Sequence, residues 1–268
     1  MYNRIVCLTE ETVETLYLLG QEHRIVGVTG YAVRPARVRR EKPRVGAFTS
    51  ADVPKILALQ PDLVLTFSDL QADIAASLVR EGVEVHAFNQ RDVAGILRMI
   101  ARLGAMVGCG DQALVMVEGY KVRLAAVAAT PRAVRPRVWI EEWDAPLISG
   151  IGWVSELVGI AGGVDVFGEL ARQQGAKGRV VDAAEVIAAA PDVILASWCG
   201  KKVRVEKIAA RPGWEVVPAV RDGRSVEIKS PILLQPGPAV LTEGLDAILG
   251  ALWGSSSALA GDVGRVAG

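Results

Sequence analysis

The 268-residue chain carries 30 basic and 30 acidic residues, is 51% hydrophobic and has a mean hydropathy of +0.30. A balanced charge offers no field to hold phosphates, so nucleic acid is not an expected partner. Apolar runs such as residues 124–129, bounded by Arg123 and Pro131, fall well short of the roughly 18 residues of a membrane span, so no membrane insertion is expected.

The richness in Val, Ala, Leu and Ile suits parallel sheets covered by helices, in a domain or two of ordinary size. Residues 1–4 run directly into the apolar segment 5–8, which leaves no room for a signal peptide. The sequence as it stands therefore reads as cytoplasmic, and as periplasmic if a leader has been removed. Cys7, Cys109 and Cys199 are far apart and read as reduced thiols, not a disulfide framework.

In chain order, "RIVC" predicts a strand, "TEET" a capped helix start and Gly20 its stop. "RIVGVT" at 24–29 predicts a second strand. The loop that follows, "GYAVRPARVRREKPRVGAF", is too rich in Pro and Arg for a regular element. "ILALQPDLVLTFSDL" at 56–70 then reappears as "VIAAAPDVILASWCG" at 186–200. Each copy is a helix that stops before Pro, a Pro-Asp pair and a continuous apolar strand. A helix over 71–81 and a strand over 83–88 follow the first copy. Residues 90–129 have helical periodicity, broken only at Gly108-Cys109-Gly110. "RPRVWIEEW" restarts the α/β rhythm, followed by helices in "GWVSELVGIAGG" and "DAAEVIAAA" and by strands in "DVILAS" and near 215–218 and 225–228. The tail from Gly254 is expected to fray, since Gly, Ser and Ala give it little to bury.

Ligands of α/β proteins gather at the carboxyl ends of parallel strands. Aromatics make up only 5% of the chain, yet Trp143, Trp153 and Trp198 follow strands, as do Tyr31, Phe48 and Phe67. We expect these six to wall a ligand cleft. Lys201, Lys202 and Arg34 are the candidate contacts for an anionic group, such as a phosphate, propionate or carboxylate. His23 and His86 are too few for a bare metal site, and only Cys199 could reach a metal held inside an organic ligand. Gly-x-Ser-x-Gly, P-loop and Gly-x-Gly-x-x-Gly motifs are absent. "GIAGG" reads as a helix C-cap, and Glu141, Glu142 and Asp144 read as a solvated loop. No catalytic residue is therefore assigned, and the protein is not expected to be an enzyme. A reading of another class is an intracellular enzyme or accessory factor acting on a tetrapyrrole or metallated cofactor, with Cys199 and those carboxylates as its chemistry.

From "RIVCLTEETVETLYLLGQEHRIVGVTGY" through "PRVGAF", "ILALQPDLVL", "GWVSELVGIAGG" and "EVIAAAPDVIL" to "RPGWEVVPAVRDGRSVEI", nearly the whole chain resembles the class III, helical-backbone substrate-binding proteins of ABC importers. These bind vitamin B12, ferric siderophores or haem, and the B12-binding branch is the most similar. The resemblance implies two Rossmann-like α/β lobes with parallel sheets, joined by a long bridging helix, and a ligand cleft between them. The lobes would be 1–105 and 131–268, with the bridge at 106–130. It also implies a monomer with a corrinoid ligand such as cobalamin or cobinamide, with haem or a ferric siderophore as the alternative. An importer permease would dock through one acidic residue per lobe, Asp73 and Glu206 by position.

Overall fold

The computed structural model describes residues 1–254; the tail expected to fray lies outside the described residues from 255 onward. The N-terminal sheet is built from β1 (Ile5–Cys7), α1 (Glu10–Leu18), β2 (Ile25–Val28), the short α2 (Val38–Glu41), α3 (Val53–Ala58), β3 (Leu63–Phe67), α4 (Ala72–Arg80) and β4 (Val85–Phe88). All its pairings are parallel, in the order β2-β1-β3-β4. Two helices follow, α5 (Val93–Met106) and α6 (Gly110–Ala128).

The second sheet comes from β5 (Arg137–Asp144), β6 (Leu147–Ser149), α7 (Gly152–Ile160), β7 (Val164–Asp165), α8 (Ala183–Ala189), β8 (Val193–Ala196), α9 (Val205–Ala209), α10 (Pro218–Arg221) and β9 (Ser225–Glu227). Its order is β6-β5-β8-β9, with β7 also on β5. α11 (Ser230–Leu233), a π-helical turn (Val240–Gly244) and α12 (Leu245–Trp253) complete it. The fold is the expected pair of α/β lobes, with mostly parallel strands. Among the described residues no helix is long and apolar enough to cross a membrane.

Strand alternation sorts the core into layers, because successive side chains point to opposite faces. Ile5, Cys7, Leu63, Leu65 and Phe67 join one apolar cluster with Ile96, Ile100 and Leu103 of α5, Val117 and Leu124 of α6, and Val138, Ile140, Val193 and Leu195 of the other sheet. That cluster runs unbroken from one lobe to the other. Val6, Leu8 and Val64 face an outer layer of the first lobe. Trp139, Ile194, Ala196 and Trp198 face an outer layer of the second. Both faces of each sheet are covered, so the strands read as continuous apolar runs.

Several local expectations are corrected. No strand forms at 215–218; Trp214–Val216 is a 3-10 turn and Pro218 opens α10, since proline removes the N–H that a ladder needs. The Arg-rich loop holds the helical turn α2. Glu141 to Asp144 continue β5 instead of forming a loop, because β6 turns back antiparallel and satisfies their backbone. Thr9 takes the N-cap position of α1, but its side chain makes no capping bond.

A candidate ligand cleft between the lobes

A cavity of about 400 Å³ lies between the lobes, within the usual range for small-ligand sites. The residues that follow β1, β2 and β3 bring Thr9 and Glu10, Thr29 and Tyr31, and Asp69 and Leu70 to it, with Phe67 from the end of β3 itself. From the other lobe come Glu142 on β5, Ile151 and Trp153 at the start of α7, and Cys199 after β8. The loop Gln174-Gly175-Ala176 and the segment Leu234-Gln235-Pro236 close it. The carboxyl ends of the parallel strands thus converge there, as strand chemistry dictates.

The lobes meet tightly around this cavity. A Cβ at Gly152 would fall 2.4 Å from the Arg91 carbonyl oxygen, and one at Gly237 would fall 2.5 Å from the Glu11 Cβ, so only glycine fits at either place. Gln90 donates to the Pro236 carbonyl (3.1 Å), and the Ala239 N–H donates to Glu14 (3.0 Å). Arg34 joins Glu14 (2.9 Å) to Glu243 (2.5 Å) across the junction.

Four of the six expected aromatics wall the cavity: Tyr31, Phe48, Phe67 and Trp153. Trp153 is 1% exposed, with its indole N–H donating to the Leu233 carbonyl oxygen (3.1 Å). Tyr31 is 48% exposed, a phenol free to meet a ligand.

The other two are corrections. Trp198 is 2% exposed in the outer layer and donates its N–H to Glu141 (3.0 Å); Trp143 packs beside that layer. The repeat itself held the signal, because its register sets Phe67 against Ser197 and Ser68 against Trp198. One position of offset sends the side chain to the opposite face.

Alternation also divides the carboxylates of β5. Glu141, on the face of Trp139, is fully buried and receives both indole N–H groups and a bidentate Arg211 (2.6 and 2.8 Å). Glu142 faces the cavity and is held by Arg179 (2.6 and 3.0 Å), which also donates to the Ser149 carbonyl oxygen. Asp144 pairs with Lys201 (2.7 Å). The expected solvated acidic loop is therefore three separate ion pairs.

The expected cations lie off the cavity wall. Arg34 is held by Glu14 and Glu243, and Lys201 sits over Trp143 and Trp198. Lys202 is exposed and lines a separate concavity beside Glu227 and Lys229. The cations that do reach the cavity are Arg91 and Arg179. Arg91 stacks its guanidinium 5.3 Å from the centroid of Phe67, pairs with Asp69 (2.9 Å) and reaches the Gln174 carbonyl oxygen (3.5 Å), so it ties one lobe to the other.

Glu10, Asp69, Arg91 and Arg179 line the cavity and are absent from the expected set. Glu10 is legible, because it follows β1 as Phe67-Ser68-Asp69 follow their strand, although "TEET" by itself predicts only a cap. Arg91 carries the same signal, three residues past the end of β4, whereas Arg179 carries none and long-range folding places it.

Cys199 lines the cavity, where removal of its sulfur from water and then the charge of Glu142 push the thiol up. That leaves little thiolate for nucleophilic or metal-ligand chemistry. His23 sits in a 3-10 turn and His86 on β4; among the described residues no three His, Cys, Asp or Glu side chains cluster to hold a metal ion. Asp73 and Glu206 are exposed in the first turns of α4 and α9.

Residues 5–232 match the periplasmic binding protein family. An uncharacterized ABC transporter substrate-binding lipoprotein, YvrC of Bacillus subtilis, is 25% identical over 91% of this chain and 78% of its own length. A cobalamin-binding protein of Halobacterium salinarum is 25% identical over 61% of this chain and 46% of its own. Among solved structures, the periplasmic haem-binding protein RhuT of Roseiflexus superposes with a TM-score of 0.78 at 22% identity, covering 94% of this chain and 99% of that one. The periplasmic vitamin B12 binding protein BtuF of Vibrio cholerae gives 0.72 at 21%, covering 94% and 96%. These two likenesses are of fold, and they span two ligand classes.

Proposed function

The chain belongs to the periplasmic binding protein family, and from that premise we propose that it binds a corrinoid, without chemical turnover, for delivery to an ABC importer permease or for handling inside the cell. One observation carries the choice of ligand. Arg91 and Arg179, the cavity's cations among the described residues, are already neutralised by Asp69 and Glu142 on the same wall. A ligand carboxylate would find no free counter-charge there, and burying it unpaired costs several kcal/mol. A corrinoid presents uncharged amides around its ring, whereas haem presents propionates. The Halobacterium relative supports the same choice, and the four aromatics supply flat apolar walls for a ring.

Haem has one observation in its favour. Tyr31 places an exposed phenol at the cavity, and phenolates serve as axial ligands to haem iron. Asp73 and Glu206, exposed at two helix starts, remain our proposal for the contacts to a permease, and the division at 1–105, 106–130 and 131–268 our proposal for the lobes and bridge.

The test is a titration with cyanocobalamin, cobinamide and haem, following Trp quenching and ligand absorption. Saturable corrinoid binding at about micromolar Kd or tighter is expected. Saturation by haem with both corrinoids silent would overturn the proposal.

A further inference from the structure

Three carboxylates line the cavity, and two of them are paired with arginines on the same wall. Glu10 is the exception. It is 2% exposed; its Oε1 accepts the Val33 N–H (3.0 Å), and its Oε2 is buried without a partner. Arg34, the nearby cation, is held by Glu14 and Glu243. Next to it Thr9, 1% exposed and also on the cavity wall, has its hydroxyl beside the Glu11 carboxylate. A buried polar atom left unmatched costs roughly 1–3 kcal/mol, so the Glu10 Oε2, in a wall otherwise made by Tyr31, Phe48, Phe67 and Leu70, points to a missing ligand group.

We propose that Thr9 and Glu10 form a subsite that hydrogen-bonds an uncharged amide of the ligand and rejects a carboxylate at the same place. The inference rests on the corrinoid reading and deepens it. Burial first, then the charges of Glu14 and Glu11, push the Glu10 carboxyl up to about 8 against the lowering pull of the Val33 N–H and of Arg34. At neutral pH it is therefore a neutral acid whose O–H can donate to an amide carbonyl. The Thr9 hydroxyl can take the amide N–H. A carboxylate set there would be buried beside Glu11 and Glu14 with Arg34 already occupied, and beside an ionised Glu10 as well above about pH 8, while across the cavity stand the closed pairs Asp69–Arg91 and Glu142–Arg179.

The experiment compares cyanocobalamin with its isomeric monocarboxylates, in which one peripheral amide is hydrolysed, on wild type, E10Q, E10A, E11Q and T9V, below and above about pH 8. Thermal melts confirm that each variant is folded. Wild type should prefer cyanocobalamin over at least one isomer by about tenfold or more, and the gap should widen above pH 8 as Glu10 ionises. E10A should weaken cyanocobalamin binding by about tenfold, whereas E10Q should hold it within about threefold and abolish the widening. E11Q should leave the widening in place, and T9V should weaken cyanocobalamin more than the isomer that lacks the amide at this place. Equal affinity for cyanocobalamin and every isomer, or a widening that survives E10Q, overturns the subsite while the corrinoid reading stands. Failure of wild type to bind cyanocobalamin or cobinamide overturns both.

Discussion

Asp62 and Asp192, at the same place in the two copies of the repeat, make the same contact. Asp62 accepts the N–H of Arg4 (2.9 Å) and Asp192 that of Arg137 (2.8 Å), each arginine leading into a strand. Each arginine returns its guanidinium to the carbonyls that end the preceding helix, Leu59 and Gln60 in one lobe and Ala189 in the other. Gln60 and Ala190, the residues before the two prolines, both take a positive φ (47° and 43°), the left-handed turn that commonly ends a helix. The repeat is thus a device for locking a helix end to a strand start. Asp62→Ala and Asp192→Ala should each cost about 1–3 kcal/mol in urea unfolding, with effects that add because the sites share no partner.

Trp198 and Phe67 should separate stability from binding. Trp198→Ala should destabilise the fold by about 3–5 kcal/mol and leave corrinoid affinity nearly unchanged. Phe67→Ala should weaken corrinoid binding by about tenfold, because a cavity wall is lost. Equal loss of affinity in both variants would return Trp198 to the cleft.

Removing one member of the Glu141–Arg211 pair leaves a charge buried against two indoles. Arg211→Met should therefore cost about 3–5 kcal/mol. Replacing Glu141 and Arg211 together by Gln and Met should recover part of that loss in chemical denaturation, since the orphan charge is gone.

Stability should fall as pH rises from acid toward about 8. Burial pushes Glu10 to about 8 and Glu11 to about 7, from an ordinary carboxyl near 4.5. Over that interval the folded state holds protons that the unfolded chain has released, so folding takes up protons and weakens as pH rises. Glu14, Glu156 and Asp165, raised mainly by burial, act in the same sense. Melting temperatures between about pH 5 and pH 8 should decline in wild type, and less steeply in Glu10→Gln and Glu11→Gln.

Closure on ligand binding should be small. The apolar cluster shared by the lobes and the glycine contacts at 152 and 237 leave no free hinge. Scattering with and without ligand should give the same radius of gyration, and a clear drop on loading would refute this. Gly152→Val, which must displace the Arg91 backbone, should wedge the lobes apart and weaken both stability and binding.

The sequence by itself determined the α/β rhythm, the two-lobed repeat and the helical connector, because continuous apolar strands, Pro-Asp stops and helical periodicity are local signals. It also determined that ligand groups gather at strand ends, which placed Tyr31, Phe48, Phe67, Trp153 and Cys199 on one cavity. Only the tertiary structure decided which face each side chain took and which charges remained free. Trp143 and Trp198 lie outside the cavity, and Lys201 and Arg34 are occupied by Asp144, Glu14 and Glu243. Arg179 reaches the cavity from a segment with no motif, and Arg91 from just past β4. The physical reason is that strand parity and ion pairing depend on partners distant in the chain: Glu141 meets Arg211, Glu142 meets Arg179, and Glu10 accepts the Val33 N–H.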